Sequence, residues 1–461
     1  MDIVFAMMLS IGIKAIAAVL EIVIQMLITN GVGVSEYGNY AFYVSLVEGA
    51  YYILFSGSIK LNTFYLSTPE SSLANFKKKY TTRYILPVIS IIVIGFAFMK
   101  SAYGVLAGII LLIYYFAYDG SSEYFARGKQ LPALLGEYLL GRIVLLIGVF
   151  SVIHFNIATG LALFTLYGLQ FAVMLLWFLV NRKQLVNGTG EVKVPMRQLF
   201  EYQISDVANS LITYSPTILQ YIVGGAFTAG FSGIITIVKR FVNFISGPTA
   251  KVFLPEFSKL YKEGDKEKLM ASYLMIVRIQ MSFIGTVGAV LIGFPRLFLS
   301  MFSPELLDYS NSFILTAVSI LTIAGIGPVT GLLQMTGNEH ICNRNQWISI
   351  GAMIIVWIVL INQPLFAIYG LCAQCLVEGL LKYYSVCKWF GKAIIPIKNY
   401  ILMWLPIILI VVIGHFFNIK LSILAMVLCT TLTFVWNIAL AMKDPMIKEA
   451  VIKRVSFLKK N

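Results

Sequence analysis

Eleven ionisable side chains stand inside otherwise apolar runs: Lys14, Glu21, Glu48, Glu137, Arg142, Asp206, Lys239, Arg240, Arg278, Glu378 and Lys382. Each costs about 2.5–3.5 kcal/mol at the centre of a membrane helix on insertion scales. Facing lipid, the set would cost roughly 30 kcal/mol, more than the ~5–15 kcal/mol that holds a typical domain folded. Most of these side chains must therefore face protein or a water-filled cavity. There, lysine and arginine offer charged donors to phosphate oxygens.

Spacing sorts the charges. Lys14 and Glu21 are seven apart and share one helix face. Glu378 and Lys382 form an i,i+4 pair in the stabilising orientation, a structural reading. Glu137 and Arg142 are five apart, so each needs a partner elsewhere. Asp206, Asn209, Thr213 and Gln220 make a polar stripe along one helix. Lys239 and Arg240 are adjacent, and two readings stay open for them. They snorkel or pair with buried acids, or they form a cationic patch in an aqueous cavity that Arg278 and Lys14 could join.

The runs that carry these residues define the class. Of 461 residues 59% are apolar and 12% charged, against about 45–50% and about 25% in soluble domains. Runs long enough to span a bilayer fall near 5–29, 39–58, 84–100, 102–119, 131–153, 157–180, 204–225, 228–250, 270–294, 309–335, 345–362, 364–387, 400–417 and 420–442. Continuous apolar stretches, unlike the alternating strands of a barrel, predict an all-α polytopic membrane protein of about fourteen helices. The first run follows Met1-Asp2 without a basic leader or cleavage site and is expected to be a retained helix. With both termini cytoplasmic, the inner loops, ends and tail hold 26 Lys/Arg and the outer loops only Lys100, Arg296 and Lys420. That asymmetry satisfies the positive-inside rule. The net charge of +14 is thus a topology signal, not a nucleic-acid footprint, although it also attracts anionic membrane lipids.

Enzyme constellations are thin. The sequence has no HExxH, P-loop or GxSxG, and His154, His340 and His415 are far apart. Cys372 and Cys375 form a CxxC in an apolar helix and read as packing. No catalytic residue, metal or cofactor is expected. Without a P-loop, any pumping uses an ion gradient or the membrane potential.

Two segments echo each other: GVGVSEYGNYAFYVSLVEGAYYILFSG (31–57) and GGAFTAGFSGIITIVKRFVNFISG (224–247). Aligning Gly38 with Gly233 gives an offset of 195, which carries the second run onto the eighth in the same orientation. Two six-helix lobes related by an axis along the membrane normal follow, with the substrate path between them. The expected divisions are 1–200 for the first lobe, 201–390 for the second, and 391–461 for two further helices and a basic tail.

Gly33-x3-Tyr37-Gly38-x-Tyr40-Ala41, YFARGKQ (124–130), PEFSKLYKEGDKEKL (255–269) and IYGLCAQ (368–374) together resemble the Wzx-type polysaccharide and O-antigen flippases. These belong to the MOP superfamily, with the MATE exporters and lipid II flippases. The resemblance runs over roughly residues 1–390. It implies alternating access by two bundles in a bacterial inner membrane, with export of undecaprenyl-pyrophosphate-linked oligosaccharide for O-antigen, lipopolysaccharide or other surface polysaccharide. Relatives line the cavity with cations on the first, second, seventh and eighth helices. Here Lys14, Lys239 and Arg240 fall on such helices, with Lys60 and Lys251 near the inner mouth and Arg278 as a further candidate. Glu21, Glu48 and Asp206 would balance them or bind a coupling H+ or Na+. Where many relatives carry an acid and then a base before the second-lobe glycine, this chain has Gln220-Tyr221. Glycan polymerase machinery is an expected partner. The alternatives are a MATE-like drug or cation antiporter, whose site should be net acidic, and a membrane glycan polymerase or ligase, which should present a larger outer loop than 295–308.

Overall fold

In a bilayer a backbone amide finds no water, so a long apolar run satisfies its hydrogen bonds internally by coiling. The computed structural model describes residues 3–66, 71–157, 159–184, 190–194, 196–391, 397–417 and 423–442. Lys420 and the basic tail lie outside them. Within them every expected run falls on helix.

The helices are α1 (Ile3–Val32), α2 (Val34–Leu54), α3 (Ser56–Tyr65), α4 (Ala74–Tyr80), α5 (Leu86–Phe98), α6 (Ala102–Ala126), α7 (Gln130–Leu134), α8 (Gly141–His154) and α9 (Gly160–Val180). There follow α10 (Met196–Lys262), α11 (Lys266–Leu291), α12 (Pro295–Ser300), α13 (Ser310–Gly325), α14 (Val329–Met335), α15 (Glu339–Leu360), α16 (Phe366–Phe390), α17 (Ile397–Phe417) and α18 (Ile423–Ala441). A two-residue parallel bridge joins β1 (Ser71–Ser72) to β2 (Gly190–Glu191). Seven stretches among the described residues are each long and apolar enough to cross a membrane. Their outer faces keep Phe98 85%, Val180 78% and Ile91 71% exposed, an apolar surface that water would not tolerate. The chain is an integral membrane protein.

Breaks follow local chemistry. Gly225 (φ 84°, ψ 178°) divides α10 into two arms, and Gly33 (φ 83°, ψ 163°) separates α1 from α2 with nearly the same dihedrals. Both conformations belong to glycine. Two π-helical turns, Thr81–Ile85 and Leu135–Leu140, lead into α5 and α8. Asp265 caps α11, accepting from Lys268 N at 3.0 Å. Its side-chain hydrogen bond with Lys268 holds its carboxyl below the usual range.

The chain forms two compact units, one of residues 1–237 with 361–367, the other of 238–360 with 368–461. In the first, α6 packs against α2, α3, α5 and α9, while α8 packs against α1 and α9. In the second, α11 packs against α13, α17 and α18. A core there gathers Phe257, Tyr273, Val277, Leu332 and Phe390, and Tyr273 Oη donates to Ile326 O at 2.6 Å.

Within the first unit, α2 and the start of the second α10 arm touch backbone to backbone. A Cβ on Gly38 would fall on the Ala226 carbonyl, and one on Gly230 would fall on the Val34 carbonyl. Exchanging 34 with 226 and 38 with 230 reproduces the contact, as a two-fold relation requires. The repeat offset is therefore 192, which also equates Gly33 with Gly225. The 195 spacing expected from Gly233 is three residues too long. Gly233 serves the same crossing from one turn further, against Tyr37 and Ala41.

Gly38→Leu or Gly230→Leu is expected to cost about 1–3 kcal/mol by overpacking, read as a lower thermal unfolding temperature in detergent. Gly95→Ala, whose new methyl meets nothing within 4 Å, should leave that temperature unchanged or raise it.

Candidate functional site

In the first unit, α1 presents one face to the Leu135–Leu140 π-turn and α8. Lys14 Nζ lies 5.1 Å from the Tyr138 ring centroid, and Glu21 Oε2 lies 3.3 Å from Arg142 Nε. Gln25 Nε2 donates to Glu21 Oε1 at 3.2 Å. The shared face expected for Lys14 and Glu21 is thus present, and its partners are Tyr138 and Arg142, themselves one turn apart. The π-turn explains how Arg142 is held. Its guanidinium also donates to the Glu137 and Tyr138 carbonyls at 3.4 and 3.3 Å, in a stretch where π-helical pairing disturbs the usual ladder. Glu137 turns the other way and accepts from Ser121 Oγ, so the two charges do find separate partners.

Beside this lies an array of rings. Tyr51 stands 4.5 Å from Tyr114 and 5.8 Å from Tyr118 by ring centroids, and Tyr114 stands 4.6 Å from Tyr118. Tyr52 stacks on Tyr214 at 5.8 Å. Buried Glu48 accepts from Tyr167 Oη at 2.8 Å. Tyr118 shares an electrostatic neighbourhood with Glu137, Arg142 and Glu48, which joins the rings to the charged face. Amphipathic rings beside carboxylates and amides suit sugar faces and hydroxyls. The 25 tyrosines were a signal for this array, but composition alone did not single out Tyr51, Tyr114, Tyr118 or Tyr138.

The first α10 arm is pinned along α2 and α3. Asp206 Oδ2 accepts from Ser56 Oγ at 2.7 Å, Gln203 Oε1 accepts from Gly57 N at 2.7 Å, and Ser210 Oγ donates to Gly49 O at 3.1 Å. Higher up, Tyr221 stacks on Phe42 at 4.1 Å and donates to Asn39 Oδ1 at 2.9 Å. The polar stripe differs in part from the expected one. Asp206 lies on it, Asn209 is exposed, and Gln203 and Ser210 take part. Gln220 faces elsewhere, donating to Pro364 O and accepting from Ala367 N. It anchors the turn between α15 and α16.

In the second unit, Lys239 Nζ is buried and without a hydrogen bond among the described residues. Its electrostatic neighbours are Cys375, Glu378 and Lys382. Glu378 and Lys382 do pair, at 2.6 Å. Gln374 Nε2 donates to Glu378 Oε2 and to Ser349 Oγ, the latter at 3.3 Å. Buried Asn345 donates to Ser385 Oγ at 2.9 Å. Sequence reasoning missed Asn345 and Gln374, the latter one turn from Glu378, which it did mark. Arg278 is half-buried on α11. Cys372 and Cys375 are buried in α16. The side chains of Lys60, Arg240 and Lys251 lie outside the described residues.

No protein-family model matches the sequence, and no curated protein matches it. Among solved structures, the chain is similar to the lipid II flippase MurJ in an inward closed conformation, at TM-score 0.66 and 14% identity, over 95% of this chain and 100% of that one. It is also similar to an inward-facing multidrug resistance MATE family transporter of the MOP superfamily, at TM-score 0.53 and 13% identity, over 85% and 95% of the two chains. The chain shares the fold of these two structures.

The Glu21–Arg142 pair is half-buried between α1 and α8. Removing one partner of the Glu21–Arg142 pair strands the other charge. Glu21→Gln and Arg142→Gln are each expected to cost about 1–3 kcal/mol, with the double variant recovering part of the loss. A double-mutant cycle on thermal stability in detergent would read a coupling near zero if the pair were incidental.

Proposed function

We propose that this protein is a flippase that carries an undecaprenyl-pyrophosphate-linked oligosaccharide from the cytoplasmic to the outer leaflet of a bacterial inner membrane, for O-antigen or another surface polysaccharide. The observation that carries this reading is the length of the fold match. The lipid II flippase structure is covered in full and accounts for 95% of this chain, whereas the MATE structure accounts for 85%. A flippase of lipid-linked glycan is thus a better template for the whole chain than a drug exporter. No sequence match supports the O-antigen branch over others, and the motif resemblance alone carries that finer step.

The chemistry is compatible. A diphosphate rewards several cations in a low-dielectric setting, and Lys14, Lys239, Arg240 and Arg278 are the candidates, with Lys60 and Lys251 guiding the head group at the inner mouth. Sugars would meet the half-buried rings of Tyr52, Tyr118 and Tyr138 in the first unit, with buried Tyr51 and Tyr114 packed against the first two. Glu21, Glu48 and Asp206 would balance the cations or bind the coupling H+ or Na+. Both termini would be cytoplasmic, which puts the Gly38–Gly230 crossing at the outer end, as the contact that closes the path to the outside. The divisions 1–200, 201–390 and 391–461 would then move as lobes and appendage, with glycan polymerase machinery receiving the product.

The test is transbilayer movement of a pyrophosphate-linked oligosaccharide in vesicles containing the purified protein. Lys239→Gln and Arg240→Gln are each expected to slow it about tenfold, the loss of one charged contact of about 1.4 kcal/mol. Unaltered movement in both, at normal protein levels, would remove the cationic path from consideration. Movement of cationic drugs but not of the glycan lipid would favour the antiporter.

A further inference from the structure

The segment KKKYTTR (77–83) carries more chemistry than a topology signal needs. It forms one wall of a cavity of about 350 Å³ within the first unit, opposite α6 and the end of α9. At its base Lys77 is held between two carboxylates, 3.0 Å from Asp119 and 3.4 Å from Glu123. Asn62 donates to the other Asp119 oxygen at 2.7 Å. The acids are therefore satisfied from inside. Around the opening stand Lys78 and Arg182, both exposed and without an acid partner among the described residues, with the hydroxyl-bearing Thr81 and Thr82 between them.

The remaining wall is apolar: Phe116, Leu175, Phe178 and Leu179. It runs on without a break into the outward face of α9, where Leu176, Leu179 and Val180 are 59%, 52% and 78% exposed. In a membrane protein that face meets acyl chains. The cavity thus offers cations at one end and continuity with lipid at the other. Two cations fit a phosphate ester, and a soluble phosphate would gain nothing from the apolar wall. The size falls within the range of small-ligand sites, about 300–1,000 Å³.

We propose that this cavity is a binding site for the phosphodiester headgroup of an anionic glycerophospholipid, whose acyl chains lie along α9. The site shares no residue with the charged face of α1 or with the Lys239 cluster, and rests only on the chain's being embedded in a membrane. Bound lipid would bridge α4, α6 and α9, fixing the Lys77 network from outside.

The test uses the purified full-length protein in detergent. It is titrated with phosphatidylglycerol, with phosphatidylcholine of the same acyl chains, and with glycerol phosphate as the soluble headgroup. Retained lipid is read by native mass spectrometry and stability by thermal unfolding. Phosphatidylglycerol is expected to stay bound and raise the unfolding temperature, and the other two to do neither. Lys78→Gln combined with Arg182→Gln should weaken phosphatidylglycerol binding about tenfold, while Lys100→Gln leaves it unchanged. Arg182→Gln alone, at an exposed position, carries the test if the pair does not purify. Equal binding to these variants, equal retention of phosphatidylcholine, or an equal response to glycerol phosphate would each overturn the assignment.

Discussion

Two backbone carbonyls occupy the space where two side chains would begin, and the arrangement of the first unit follows from that. Because Gly38 meets the Ala226 carbonyl and Gly230 the Val34 carbonyl, α2 and the second α10 arm approach as closely as helices can. The contact also fixes the rotation of α2 about its own axis. With Val34, Gly38 and Ala41 on the crossing, Asn39, Phe42, Gly49 and Tyr52 face the first α10 arm. Tyr40, Glu48 and Tyr51 are left for α6 and α9, where they meet Tyr167 and Tyr114. A helix with three committed faces has no lipid-facing side over that length, which is how a buried glutamate and several tyrosines are accommodated.

Charge is handled differently in the two units. In the first, a lysine lies over a tyrosine ring and an arginine reaches both a carboxylate and two backbone carbonyls. The π-turn makes this possible by leaving carbonyls available to a guanidinium five residues from Glu137. In the second, the Glu378–Lys382 pair closes along one helix, with Gln374 steadying the carboxylate. That is a cheaper device, since an i,i+4 pair needs no second helix to hold its geometry.

What the sequence revealed and what it hid divide along the same physical line. Helix under the expected runs, the shared face of Lys14 and Glu21, and the Glu378–Lys382 pair depend only on helical periodicity, and these are present. Which helix a face meets depends on packing. Arg142 could not be matched to Glu21 by spacing, because they lie on different helices. Asn209 was grouped with Asp206 by spacing yet is exposed, while Gln203 supplies the contact instead. The repeat offset failed for a related reason. Gly230 and Gly233 are equally good glycines in one sequence, and what distinguishes them is the positive φ at Gly225, which aligns with Gly33 only at 192. The side chains of Lys60, Arg240 and Lys251 lie outside the described residues, so their expected roles stay proposals.

The buried ammonium of Lys239 is where structure and proposed function bear on each other most directly. A buried charge without a hydrogen bond among the described residues is costly, and a carboxylate already engaged by Lys382 compensates it only through space. On the flippase reading, such a site is kept because a ligand redeems the cost. A phosphate oxygen reaching Lys239 would accept one of its donors and supply the hydrogen bond that no described residue gives it. The same argument says why Lys14, with its tyrosine partner, would contribute less. An ammonium already stacked on a ring must give up that contact before it can bind anything else.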